Sequence, residues 1–350
     1  MSLAVNFSEA QLGAMALAKV GNPSRDEPLQ TSKSLCHFQD EEAELLTHCF
    51  LKSFKSLELH QLHHHTSVES NEMYGYATKI FDDPGCLLEE GANIARHLHA
   101  QSNHPNIKAG DLCVSMVDDI LVAGEKHQAL CIIKSESKVP FLQISVVDGD
   151  LKLSTQQGIY PDKIDKGCLI LNHNRSIGYS VYLFDKSGNT NFWNREFVGA
   201  VPVKTDDFLT KRYSELCVDF AQKGLPEEAR QEERTEVAKR AIDYIAEAED
   251  FSMDEFREVA LKDQDTIEQF DLFKDEFEEE TGTELEETFK VSKPEAAKAK
   301  KKLRGKMKLD VGVELKFSSG FLDQADALLE KGFDESKHMS YVKIYFHQEE

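Results

Sequence analysis

The chain has 350 residues, 40% of them hydrophobic, and its 63 acidic against 41 basic side chains give a formal net charge of −22. That length is enough to bury a substantial core and suggests about two domains, while no run approaches the roughly 18 apolar residues of a membrane span. A charge of this sign, if spread evenly, would argue against a polyanionic partner such as DNA.

The first 225 residues alternate helical and strand-like patterns. Asp40 stands where it can cap a helix carrying Leu45, Leu46, Cys49, Phe50 and Phe54 at spacings of three to four. A polar, His-rich stretch follows. A second helix is predicted over 87–99, with Leu87, Ile94 and Leu98 on one face. Short β-branched or aromatic runs then read as strands at 112–117, 120–122, 129–133 and 141–147. Asp148-Gly149-Asp150 is a hairpin signal, because these residues tolerate the positive φ of a tight turn, and 151–153 returns from it. Strands at 168–171 and 179–184 continue an antiparallel pattern.

Thr205 or Asp206 is placed to cap a helix with Leu209, Tyr213, Leu216, Cys217 and Phe220. Gly224 sits where a left-handed C-cap favours glycine, and a domain boundary is placed near 225. Three helices are predicted from 227 to 281. Val237, Ala241, Ile245 and Ala248 stripe the first, Ser252 and Glu255 form a capping-box pattern for the second, and Ile267, Phe270, Phe273 and Phe277 stripe the third, which stops at Gly282. A basic stretch follows, then a strand at 309–317, a helical run at 321–329 and a strand at 341–346. The fold class is therefore α+β: a mixed domain (1–225) around an antiparallel sheet, then an acidic helical region (226–350) closing on two short strands.

The charge is not evenly spread. Residues 227–287 carry 24 acids and seven bases, a net of −17, and residues 290–308 carry nine bases and one acid, a net of +8. The remainder is mildly acidic. The basic run consists of Lys290, Lys293, Lys298, Lys300, Lys301, Lys302, Arg304, Lys306 and Lys308. A helix from Pro294 onward would show cations over most of its circumference. Such a cluster suits a phosphate backbone, because each neutralised phosphate releases counterions, and the excess of lysine suits backbone attraction better than base reading. The same run would also pair with the acidic helices of its own chain, stay solvated, or meet an anionic protein surface.

Other motifs carry less. Phosphate-loop and dinucleotide-binding glycine patterns are absent, as are the metalloprotease and nucleophile-elbow patterns. The His60-Gln-Leu-His63-His64-His65 cluster has no cysteine or acid nearby at zinc-finger spacing and reads as a polar loop or helix end. Asp118 or Asp119 with Glu136 and Lys138 has the residue types of a metal-dependent nuclease, but the pattern is short and a charged sheet edge is the simpler account of it. Phe192, Trp193 and Phe197 have the chemistry to stack on bases, but core packing is the simpler role. The seven cysteines are odd in number and form no Cys-x-x-Cys pair, so they are expected as reduced, mostly buried thiols. No cofactor, metal or secretory signal is read.

The order of elements resembles a known family, the bacterial nucleoid-associated proteins of the NdpA type. The resemblance rests on Tyr74-Gly-Tyr76, the helix over 87–98, Gly110-Asp-Leu-Cys-Val-Ser-Met and its partner Gln128-Ala-Leu-Cys-Ile-Ile. It continues through 158–171, Phe192-Trp193, the helix over 207–220 and the closing runs at 309–317 and 341–346. It implies association with DNA in the bacterial nucleoid, hence a cytoplasmic location, and supplies no catalytic residues. The sequence reading is thus a non-enzymatic DNA-binding protein that uses the 290–308 run non-specifically on duplex DNA. Its rivals are an adaptor that docks a protein partner through the acidic helices at 227–287 and, more remotely, the nuclease. Assembly is left open by the residues, a homodimer being the commonest form that soluble proteins adopt.

Overall fold

The computed structural model describes residues 3–55, 57–187, 191–229, 231–304, 306–317 and 324–348. The chain has α+β architecture and divides into two compact units, one ending at Val203 and the other beginning at Lys204.

The first unit is built on an antiparallel sheet. Its early strands are β1 Val5–Asn6, β2 Gln11–Val20, β3 Gln30–Thr31, β4 Leu59–Leu62, β5 Gly110–Val122 and β6 Glu125–Ser135. A separate hairpin, β7 Val139–Val147 and β8 Asp150–Gly158, precedes β9 Lys166–Leu171, β10 Ser180–Asp185 and β11 Ala200–Pro202. The strand order is β11-β4-β10-β9-β6-β5-β2-β3, with β1 paired to β5. Helix α1 Asp40–Leu51 covers one face; α2 Glu72–Asp82 and α3 Leu87–Gln101 cover the other.

Burial on both faces explains why the central strands read as unbroken apolar runs. In β9, Cys168 and Ile170 join the core under α2 and α3, while Leu169 and Leu171 join the core under α1. Residues 112–122 form one strand interrupted by an irregularity after Val117, where Asp119 has φ 58°. The Asp148-Gly149 turn has φ 55° and 84°, the positive pair that a two-residue hairpin requires.

In the second unit, α4 Asp206–Asp219, α5 Gln231–Glu247, α6 Met253–Phe256, α7 Gln264–Thr281 and α8 Lys293–Arg304 enclose one core with the short pair β12 Asp250–Ser252 and β13 Thr288–Lys290. The core is rich in aromatic rings: Phe251 stacks on Phe289 with centroids 4.8 Å apart, and Phe256 meets Phe270 at 5.2 Å. Tyr213, Leu216 and Phe220 belong to this core. The helix starting at Asp206 therefore goes with the second unit, and the division falls at 203/204 rather than near 225.

Several local expectations change. Helix α1 is capped by Gln39, through a reciprocal box with Glu42, one residue before Asp40. Ser252 makes no side-chain cap to α6, because it pairs with Thr288 in a strand and the Glu255 carboxylate instead accepts from the Tyr244 hydroxyl at 3.1 Å. Gly224 is not left-handed; a Cβ there would lie 2.4 Å from the Phe220 ring, so the glycine provides room rather than a cap. The C-terminal strands form two hairpins, β14 Lys306–Lys308 with β15 Glu314–Lys316, and β16 Leu329–Asp334 with β17 Met339–Ile344. Part of the helical run expected at 321–329 lies outside the described residues; Ala325–Leu328 makes one helical turn before β16.

Candidate nucleic-acid interface

Helix α8 places the basic run. Its side toward the core is apolar: Ala296 is buried, and Ala299 and Leu303 pack beside it. That spacing of three and four residues fixes the rotation of the helix. Lys298, Lys301 and Lys302 consequently project outward and are exposed. Cations thus occupy one side of the helix rather than most of its circumference.

Two of the other lysines are committed to their own chain. The Lys293 ammonium donates to the carbonyls of Ala246, Glu247 and Ala248 at 3.1, 3.2 and 2.6 Å. It thereby caps the C-terminal end of α5, where carbonyls lack helical partners and the helix dipole favours a cation. Lys300 pairs with Asp243 of the same helix at 2.6 Å. Lys298, 72% exposed, meets Glu295 of its own helix at 2.5 Å, and a pair so exposed contributes little. Lys290 lies opposite Asp250 in the β12–β13 pair. Lys301 and Lys302 have no acidic partner among the described residues. The side chains of Arg304, Lys306 and Lys308 lie outside the described residues.

Outward positions of α7 carry the opposite sign. With Phe270 buried and Phe273 and Phe277 packed on the core, the exposed positions include Asp265, Glu268, Asp275, Glu276 and Glu279, around a Leu272 that is 67% exposed.

The other sequence candidates fall apart as sites. Trp193 is fully buried and donates its indole N–H to the Gly167 carbonyl at 3.0 Å, and Phe192 and Phe197 share its core, so none of the three faces a base. His60 is buried in strand β4, with Nδ1 3.0 Å from the Glu58 carbonyl, rather than in a loop or helix end. Among the described residues no group of His, Cys, Asp and Glu is placed to hold a metal. Asp118 accepts from Gln128, and Asp119 pairs with Lys126, at one end of the β5–β6 ladder. Glu136 and Lys138 lie beyond the other end, about eight residues or ~25 Å away. The nuclease-like set is therefore not assembled.

At that far end the structure shows a feature that the sequence reading missed. Lys134, Glu136, Lys166 and Asp185 are all almost fully buried; Lys134 meets Glu136 at 2.8 Å and Lys166 meets Asp185 at 2.8 Å. Burial depresses the Lys134 ammonium below the usual lysine range, against the pull of Glu136. Two cations and two anions balance one another here, which gives the cluster a structural role. Its sequence signal is a lysine next to an unbroken apolar strand, in Ile132-Ile133-Lys134 and Lys166-Gly-Cys-Leu. Lys138 finds its acid in Asp111, at 3.1 Å.

All seven cysteines are free. Among the described residues no helix is long and apolar enough to cross a membrane. No curated protein matches the chain. Residues 18–338 match the family described as "Nucleoid-associated protein YejK". With that match spanning most of its length, and an α+β fold of the kind its element order suggests, the chain belongs to this nucleoid-associated family.

Proposed function

We propose that this chain is a non-enzymatic, cytoplasmic DNA-binding protein of the bacterial nucleoid that holds duplex DNA without sequence preference, through phosphate contacts from the outward face of α8. The observation that carries the reading is the placement of Lys298, Lys301 and Lys302. They are spaced i, i+3, i+4 on one exposed face, where like charges cost a helix about 0.2–0.5 kcal/mol per pair. A phosphate backbone would relieve that repulsion, and among the described residues no acid pairs with Lys301 or Lys302 to do so. Membership of a nucleoid-associated family supports the same partner. The Debye length of about 8 Å at physiological salt lets this patch act despite the acidity of the chain.

Retention of duplex DNA measured against salt tests the reading. Affinity is expected to fall linearly in log–log form with a slope of about −0.9 per contacted phosphate. Replacing Lys298, Lys301 and Lys302 together by Ala should make that slope shallower by as much as ~3 while leaving thermal unfolding unchanged. Wild-type protein that retains no duplex at low salt overturns direct binding.

The outward face of α7 favours a second reading. Five exposed acids around Leu272 suit a basic protein partner with an apolar centre, so that the chain would reach the nucleoid as an adaptor. Under this reading Leu272→Ala weakens capture by a DNA-bound protein, while purified chain alone fails to retain DNA.

A further inference from the structure

The β7–β8 hairpin forms a two-stranded sheet of its own. Its register pairs Leu142 with Thr155, Ile144 with Leu153 and Val146 with Leu151. Side chains opposite one another share a face, as do residues two apart. Leu142, Ile144, Val146, Leu151 and Leu153 therefore make one continuous aliphatic face, and they are 69, 69, 71, 70 and 65% exposed. The opposite face carries Gln143, Ser145, Lys152, Ser154 and Gln156, with Phe141 and Val147 toward its two ends. This is the alternation of a sheet with one buried side, yet the apolar side lies open. It leaves on the order of 300–400 Å² of aliphatic surface in water, as much as the largest patch that monomers usually keep. A two-stranded ribbon alone is marginally stable at best, so this face calls for a cover.

We propose that the cover is the same face of a second copy of the chain, the two ribbons packing face to face and antiparallel about a twofold axis. The face bears no ionisable side chain, so a phosphate backbone or a charged peptide finds nothing on it to pair with. A flat aliphatic face is complementary to itself, as an isologous interface requires. The ribbon's ends differ in charge. Asp148 and Asp150 stand at the tip. Lys138 and the exposed Lys163 stand at the base; Lys138 meets Asp111, and Lys163 has no ion-pair partner among the described residues. Antiparallel docking sets the acidic tip of each copy against the other's base, where Asp111 and Asp165 offset Lys138 and Lys163, whereas parallel docking would bring the four acids together. Ile159 and Tyr160, 38 and 41% exposed, follow the ribbon at its base. From the two stripes the copies bury roughly 600–800 Å², so the dimer is expected to be weak and concentration-dependent.

Sedimentation of the full-length chain over a wide concentration range tests this. The expected result is a particle of two 39.6 kDa chains. Ile144→Lys with Leu153→Lys should weaken the dimer by at least about a hundredfold, since two ammonium groups would be buried in each copy. Gln143→Lys with Ser154→Lys, on the polar face, should leave it intact. Arrangement is read by cysteine cross-linking against the parent protein. Ile144→Cys lies near the centre of the ribbon and should link to its own mate, whereas Asp148→Cys should link to Lys138→Cys on the other copy and not to itself. A wild-type chain that stays monomeric overturns the proposal and leaves the face to a different protein. A dimer that survives Ile144→Lys with Leu153→Lys also overturns it, and tip cysteines that link to each other overturn the antiparallel arrangement.

Discussion

Lys293 and Lys301 stand two turns apart on one helix and do opposite things. Lys293 spends its charge on three carbonyls at the end of α5, and Lys301 has no such partner among the described residues. Lys293→Met should therefore lower stability by about 1 kcal/mol, seen as a shift in the denaturant midpoint, and leave the salt slope of DNA retention unchanged. The Lys301→Ala single variant should do the reverse. The buried ion cluster is more sensitive. Glu136→Gln leaves Lys134 and Lys166 without one of their counter-charges, and a loss of about 3–5 kcal/mol is expected in urea unfolding. A loss below about 1 kcal/mol would mean that water reaches the cluster. The nine basic residues were legible in the sequence as a run, but their division was not. Which lysine points outward depends on Ala296, Ala299 and Leu303, and which acids they meet depends on how α5 packs beside α8.

Elements with strong local signals were legible where they form. The central strands declared themselves through β-branched residues, Thr205 caps α4 by accepting from the Phe208 amide, and α7 stops at Gly282. Strand β2 was missed because Gly13, Ala14, Ala16 and Ala18 have little β propensity, and only its neighbours β5 and β3 make it a strand. Helix α2 was missed although its cap was in view. The Asn71 side chain accepts from the Tyr74 amide and donates to the carbonyls of His63, Val198 and Gly199. It ties the helix start to the nearby loop at His63 and to one 127 residues further on, which no local pattern reveals. Asn71→Ala should cost about 1–3 kcal/mol in thermal or denaturant unfolding, since it removes a cap and leaves buried carbonyls unpaired. Register, too, is a pairing property. The aliphatic face of the β7–β8 ribbon follows from which residue stands opposite which, although the Asp148-Gly149 turn that sets it was plain in the sequence.

Across the whole molecule, thiol chemistry follows burial. Cys113 is pushed up to about 12 by desolvation, Cys131, Cys168 and Cys217 are raised well above the usual thiol range by burial, and Cys49 is buried. Only Cys36 and Cys86 are partly exposed. Titration with a thiol reagent at mildly alkaline pH should show two reactive groups in the native protein and seven in denaturant; a third fast thiol in the native state would contradict the packing. Charge is likewise a property of the whole chain, and its uneven distribution bears on kinetics. A DNA duplex approaching from afar meets the field of a body with a charge of −22 and is repelled; only within about a Debye length does the outward face of α8 dominate. Salt therefore raises both rate constants, with opposed effects on affinity. Moderate salt should screen the long-range repulsion and speed encounter, even as it loosens the phosphate contacts and hastens departure. Stopped-flow mixing should show an association rate that climbs with added salt before it levels, in contrast to the steady decline that a uniformly basic DNA-binding protein displays.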